Sequence, residues 1–101
     1  MICVLTARRL KPGSWSEFRA AWAPEEWWPL LARAYHLRSV DDPNEVISFG
    51  FFDGTLEEFE RMRDTPEWIE GEDRRLKRIG PFEDAARFGG VYVVIDEIEP
   101  R

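Results

Sequence analysis

Cysteine and histidine occur once each in this chain, as Cys3 and His36. A single cysteine excludes an internal disulfide. Cys3 lies in the apolar run of residues 2–7, where it reads as a small buried hydrophobe rather than a reactive thiol. One histidine and one distant cysteine do not supply a metal-ligand set, and Asp41-Asp42-Pro43-Asn44 reads as a turn, so no metal is expected. Positive charge is also short. Fourteen Lys and Arg face twenty Asp and Glu, and the net charge of −6 argues against nucleic acid as a partner. No apolar run approaches the roughly 20 residues of a membrane span, so no membrane partner is expected. The opening MICVLTARRL is too short and too soon charged for a signal peptide, and we expect a cytoplasmic protein. No glycine-rich phosphate loop is present, because Gly89-Gly90 leads into a strand pattern and not a helix. There is no serine elbow and no Cys–His pair at usable spacing.

What the chain does have is apolar and aromatic weight. Hydrophobic residues make up 44% of its 101 positions, and five are tryptophan. That composition describes one globular domain over residues 1–101. The tryptophans must lie in a core, a pocket or an interface.

Punctuation divides the chain cleanly. Residues 2–7 form an apolar strand, and Lys11-Pro12-Gly13 a turn. Ser14-Trp15-Ser16-Glu17 has the form of a capping box. Trp15, Phe18, Ala21 and Trp22 then recur at helical spacing. Pro24 and Pro29 interrupt the pattern, so residues 23–34 are expected to be a bent helical connection. Residues 35–40 and 46–52 are strands flanking the 41–44 turn. Thr55-Leu56-Glu57-Glu58 is a second capping box, opening a helix over 55–63. Thr65 and Pro66 open another over 66–79, with Ile69, Leu76 and Ile79 as its apolar face. Glu70 with Arg74, and Asp73 with Lys77, are i,i+4 pairs on its outside. Arg74, Arg75, Lys77 and Arg78 interleave with acids and read as a solvated face. Residues 81–89 are expected to be a loop, 91–98 the last strand, and Glu99-Pro100-Arg101 a short tail.

The order is βαββαβ. Topology rules then favour an α+β, ferredoxin-like fold: a four-stranded antiparallel sheet with both crossover helices on one face. The strands are apolar on both faces, whereas a sheet covered on one side only should be polar on the other. A homodimer packed sheet to sheet resolves that conflict.

These segments carry a resemblance. KPGSWSEF after the first strand, DDPNEVISFGFFDGTLEEFE, the following TPEW, and GGVYVVIDEI at the end are similar to the dimeric α/β-barrel superfamily, in particular the antibiotic-biosynthesis-monooxygenase-like domains. The resemblance covers nearly the whole chain. It implies a dimeric α/β barrel and, among the activities of that superfamily, cofactor-independent quinone-forming oxygenation, with no cofactor. The haem-degrading branch implies an Asn on strand one, a Trp in helix two and a His ten residues later. This chain has no Asn there, Met62 where the Trp would fall and Glu72 where the His would fall, so haem degradation is not expected.

His36 is the only side chain whose ordinary pKa lies near neutrality. It is the candidate base, taking a proton from a phenol so that O₂ can attack the phenolate. Arg38 shares its strand parity and is the candidate anion binder. Trp27, Trp28 and Trp68 are candidate pocket walls for a hydrophobic or aromatic small molecule, and Tyr92 a candidate hydrogen-bonder, with dimer packing as its competing role. Trp15 and Trp22 are expected in the helix-to-sheet core. The reading is a small cofactor-independent monooxygenase acting on an aromatic or polyketide-like molecule. The alternative is a non-enzymatic homodimer that binds a small ligand or serves as an accessory.

Overall fold

A computed structural model describes residues 1–100, apart from the side chains of Ala86 and Arg87. Arg101, the end of the expected tail, lies outside the described residues. The elements are β1 (Ile2–Leu10), α1 (Trp15–Trp22), β2 (Leu31–Arg38), β3 (Glu45–Phe52), α2 (Leu56–Arg63), α3 (Pro66–Ile79), a 3₁₀ turn (Gly80–Phe82) and β4 (Glu83–Val93). The sheet order is β2-β3-β1-β4 and every pair is antiparallel, which is the ferredoxin-like arrangement.

The helix caps show how local chemistry sets these bounds. Thr55 Oγ1 accepts from the Glu58 amide at 3.1 Å, and the Glu58 carboxylate accepts from the Thr55 amide at 3.0 Å, a complete capping box. Thr65 Oγ1 accepts from the Trp68 amide at 3.2 Å, with Pro66 at the first helical position. Ser14 differs from expectation. Its hydroxyl donates to Lys11 O at 2.6 Å and is not used to cap α1, because the turn at Gly13, with φ +75°, brings that carbonyl closer.

Two other expectations are corrected. Residues 23–30 contain no helix, and β2 starts at Leu31. Four residues between two prolines cannot complete a hydrogen-bonded helical turn. The chain instead turns at Trp28-Pro29-Leu30-Leu31, where the Leu31 amide donates to Trp28 O at 3.3 Å and Leu30 sits at φ +70°. Proline at the second position and positive φ at the third are the marks of a type II turn, and a leucine there is strained. The last strand covers 83–93 rather than 91–98, and includes the stretch expected to be a loop. β1 is nine residues long and β4 follows it from Leu10 back to Ile2, with register shifts at Ala7/Arg8 and Arg9/Leu10. Beyond Val93 the Val94 amide still donates to Met1 O at 3.0 Å, one residue before β1 begins at Ile2.

The core lies between the sheet and the helices, in two clusters. Phe18, Trp22, Leu10, Val46 and Ile79 form one; Ile2, Phe52 and Phe59 form the other, and Trp28 packs against both. The buried face of α3 is Trp68, Glu72, Arg75 and Ile79, whereas Ile69 and Leu76 are exposed. Arg74 pairs with Glu25 at 2.7 Å, and Lys77 with Asp73 at 2.9 Å. Arg75 departs from the expected solvated face by turning inward.

Candidate functional site

β-register builds the floor of the site. Thr6, Ser48 and His36 stand abreast on β1, β3 and β2, with side chains on the helix-covered face. His36 Nδ1 and Ser48 Oγ are 2.8 Å apart. The imidazole is enclosed edge-on by Trp22, Trp15 and Phe18, with ring centroids at 4.4, 5.3 and 6.0 Å. Its Nε2 is buried and has no hydrogen-bond partner among the described residues. Burial first, then the charges of Arg19 and Arg8, pull the His36 pKa from 6.5 to about 4. The ring is therefore neutral at pH 7, with one nitrogen uncommitted.

Two recesses meet at this floor, sharing Trp22 and Leu31 as walls. The outer one, about 230 Å³ and open to solvent, is bounded by Arg19, Trp27, Ala34 and His36 as well. The inner one holds about 60 Å³ and is bounded by Trp28, Trp68, Thr6, Ser48, Arg8, Glu72 and Arg75 among others. Type II turn geometry at Pro29 places Trp28 inward and leaves Trp27 exposed at the rim. Trp28 Nε1 donates to Glu72 Oε2 at 3.2 Å, and its ring lies 6.0 Å from that of Trp68.

Two buried arginines line the inner cavity. Arg75 donates twice to Glu72, from Nε and Nη2 at 2.9 Å each, and from Nη1 to Trp22 O at 3.2 Å. Its guanidinium lies 5.0 Å from the Trp28 ring centre, within cation–π range. Arg8, only 4% exposed, pairs through Nε with Glu83. Burial lowers its pKa from the ordinary arginine value, with Glu83 opposing the shift. Its Nη1 is buried without a partner among the described residues. Leaving such a donor unsatisfied costs about 1–3 kcal/mol.

Sequence candidates thus divide into groups. His36 and Trp27 meet in the outer recess, Trp28 and Trp68 in the inner one. Arg38 shares the face of His36 but is exposed and bounds neither recess. Tyr92 lies on the opposite face, abreast of Cys3, and folds back over Gly90; a Cβ there would stand 2.9 Å from the Tyr92 hydroxyl. Trp22 is buried as expected, but Trp15 is 44% exposed and covers the edge of His36 instead of joining the core. Sequence reasoning missed Arg8, Ser48, Glu72 and Arg75. One signal was available: 68, 72, 75 and 79 recur at four, three and four, an inward helical stripe with two charges in it. Among the described residues no three His, Cys, Asp or Glu side chains converge as metal ligands, and no helix is long and apolar enough to cross a membrane.

No family model and no curated protein matches the chain. Solved structures do match it. SnoaB, a cofactor-independent oxygenase from Streptomyces nogalater, superposes with a TM-score of 0.67 at 13% identity, covering 98% of this chain and 97% of its own. A proposed antibiotic biosynthesis monooxygenase from Chloroflexus aurantiacus gives 0.67 at 13%, covering 97% and 96%. Another from Nitrosomonas europaea gives 0.65 at 17%, covering 95% and 100%. At such identities the likeness concerns the fold: this chain has the fold of the antibiotic-biosynthesis-monooxygenase-like proteins over nearly its full length.

Proposed function

We propose that the protein is a small cofactor-independent oxygenase of an aromatic or polyketide-like substrate. The carrying observation is His36: a neutral imidazole fixed by Ser48, with a free nitrogen beside an aromatic recess and two cations near it. The free Nε2 takes a phenolic proton. The phenolate reacts with O₂ at ring carbon, one oxygen atom is kept as the new quinone carbonyl, and the other leaves as water with the two hydrogens the substrate loses. Proton transfer from a phenol near pKa 10 to an imidazole near 4 is uphill by about 8 kcal/mol. That is well inside the barrier of about 16 kcal/mol that corresponds to ten turnovers per second. Arg19 and Arg8, which disfavour the imidazolium, favour the phenolate. O₂ consumption with a panel of hydroxyquinol-like substrates tests the reading. His36→Ala should lose at least about a hundredfold in rate, the usual scale for a general base, and equal rates would remove His36 from the chemistry.

The second reading is a non-enzymatic small-ligand binder. At about 230 Å³ the outer recess is smaller than the ~300–1,000 Å³ of ordinary ligand sites. Binding of aromatic probes without O₂ uptake would select it.

Both readings include a homodimer through the open sheet face. Tyr35, Phe49, Leu5 and Gly90 form one row across that face, and Arg33, Phe51, Cys3 and Tyr92 the next. A largely apolar face of this kind on a four-stranded sheet needs a cover. Ile95 and Ile98, exposed at 94% and 77%, add apolar surface past the end of β4. Sedimentation should give twice the chain mass at micromolar concentration; a monomer there would refute the dimer.

A further inference from the structure

The outer recess is positive in a protein that is acidic. It is bordered by Arg19, Trp22, Trp27, Leu31, Ala34 and His36, and no carboxylate is among them. With His36 neutral at pH 7, Arg19 is the one charge on these walls. Residues 15, 19 and 22 recur at four and three along α1, which sets Arg19 on the side of the helix that carries the two indoles beside His36. Arg61, Arg74, Arg75 and Arg78 each reach a carboxylate. Arg19 is exposed and reaches none among the described residues. Its guanidinium lies 5.9 Å from the Trp22 ring centre, a cation–π contact that uses the planar face and leaves the N–H edge for an acceptor. The charges that shift His36 are those of Arg19, then Arg8, and both act in the cationic sense. Against a net charge of −6 for the chain, the recess is a local reversal of sign, which favours an anion. The remaining walls are apolar. Trp27, 58% exposed at the rim, stands 6.4 Å from Trp22 at an interplanar angle of 55°, an angled aromatic surface against which a flat ring can bury area.

We propose that the outer recess binds an aromatic carboxylic acid as its anion, with the carboxylate on the free edge of Arg19 and the ring against Trp27 and Leu31. A planar carboxylate matches the guanidinium fork through two parallel hydrogen bonds. A phenol, with an ordinary pKa of about 10, brings no charge to Arg19 until it is ionised, whereas an acid brings it on binding. The proposal deepens the oxygenase reading by naming the substrate class of the same site, an aromatic hydroxy acid, and rests on that reading only for the reaction. Because Arg19 and His36 border one recess, the acid group would decide which edge of the ring turns to His36.

Isothermal titration with 2-naphthoate and its neutral counterpart 2-naphthamide at pH 7 tests this. The wild-type protein should bind the acid at least fivefold more tightly than the amide. Arg19→Gln should bring the two within twofold of each other while keeping amide binding, and Arg19→Glu should reverse the preference. Arg19 is exposed, so neither change touches the core, and circular dichroism should be that of wild type. Lys77→Gln removes one unit of positive charge from the outside of α3, where Lys77 pairs with Asp73, and should leave the preference within twofold of wild type. Equal wild-type affinities, or binding of neither probe at millimolar concentration, would overturn the proposal. So would a preference that survives either change at Arg19 or disappears in Lys77→Gln. Oxygen uptake is read separately. Charge preference without uptake removes the oxygenase reading alone, and uptake without charge preference removes the acid-binding assignment alone.

Discussion

The two faces of the sheet invert the usual rule. The face under the helices carries Arg8, Ser48, Thr6 and His36 among its apolar residues. The face with no helix on it carries Leu5, Phe49, Phe51 and Tyr35. A monomer designed for water would place these sets the other way round. Polar groups under the helices are costly unless they are paired, and here most are: Arg8 with Glu83, Arg75 with Glu72, His36 with Ser48. The exceptions, Arg8 Nη1 and His36 Nε2, both belong to side chains that border the recesses. Polar residues on the covered face are therefore grouped around the two recesses, and the open face is left largely apolar. On the proposed reading the covered face would recognise a ligand and the open face a second copy of the chain.

The largest effect should come from breaking the open face. Phe49→Asp puts a charge at the middle of it, without touching the helix-side core. If the proposed dimer forms, Phe49→Asp is expected to be fully monomeric at the same concentration, read by sedimentation, with helix content unchanged by circular dichroism. On the covered face the largest loss comes from packing. Phe18 is fully buried between α1 and the sheet and faces both Arg8 and His36. Phe18→Ala should cost about 3–5 kcal/mol in urea unfolding, and a loss below about 1 kcal/mol would mean that α1 does not hold the site as described.

A third effect is a pH dependence confined to the covered face. The folded protein holds His36 near pKa 4, against 6.5 for a free imidazole. Between those values the unfolded chain binds more protons than the folded one, so stability falls as pH drops from about 6.5 and levels off below about 4. The full shift corresponds to about 3 kcal/mol, and partial solvent access reduces this to roughly 1–2. His36→Gln should flatten that part of the stability profile. A profile identical to wild type would place the loss on other groups, and the same buried neutral ring should put the acid limb of any kcat/KM profile near pH 4.

How much of this was legible in the sequence depended on whether the signal was local. Thr55 and Thr65 cap their helices from within four residues, and both were readable. The apolar content of both faces of β1 and β3 was readable too, because it is a property of one strand. β4 was not: residues 83–88 have no strand pattern of their own and are strands because β1 runs alongside. The inward face of α3 was misread for a related reason. Apolar residues were assigned to the core, so Ile69 and Leu76 took the place of Glu72 and Arg75. A charged pair within one helix can be buried when a carbonyl and two indole rings are supplied from elsewhere, and those come from Trp22 and Trp28 on other segments. His36 could be singled out as the lone histidine. Its orphaned Nε2 and the unpaired Arg8 Nη1 depend on three strands in register, which no single segment specifies.

The smallest expected effect sharpens the division most. Tyr92 was a site candidate by residue type, yet it stands on the open face, half exposed, with its ring folded over Gly90. Tyr92→Phe keeps the ring and removes the hydroxyl. Within one chain that hydroxyl is far in topology from His36, across the thickness of the sheet, so stability should change by less than about 0.5 kcal/mol, as for most surface substitutions. Substrate turnover or probe binding should be equally unmoved. A tenfold loss of either, with the dimer intact, would mean that the open face contributes to the site after all. The site would then extend through the interface, and the assignment of ligand recognition to one face and assembly to the other would fail at that residue.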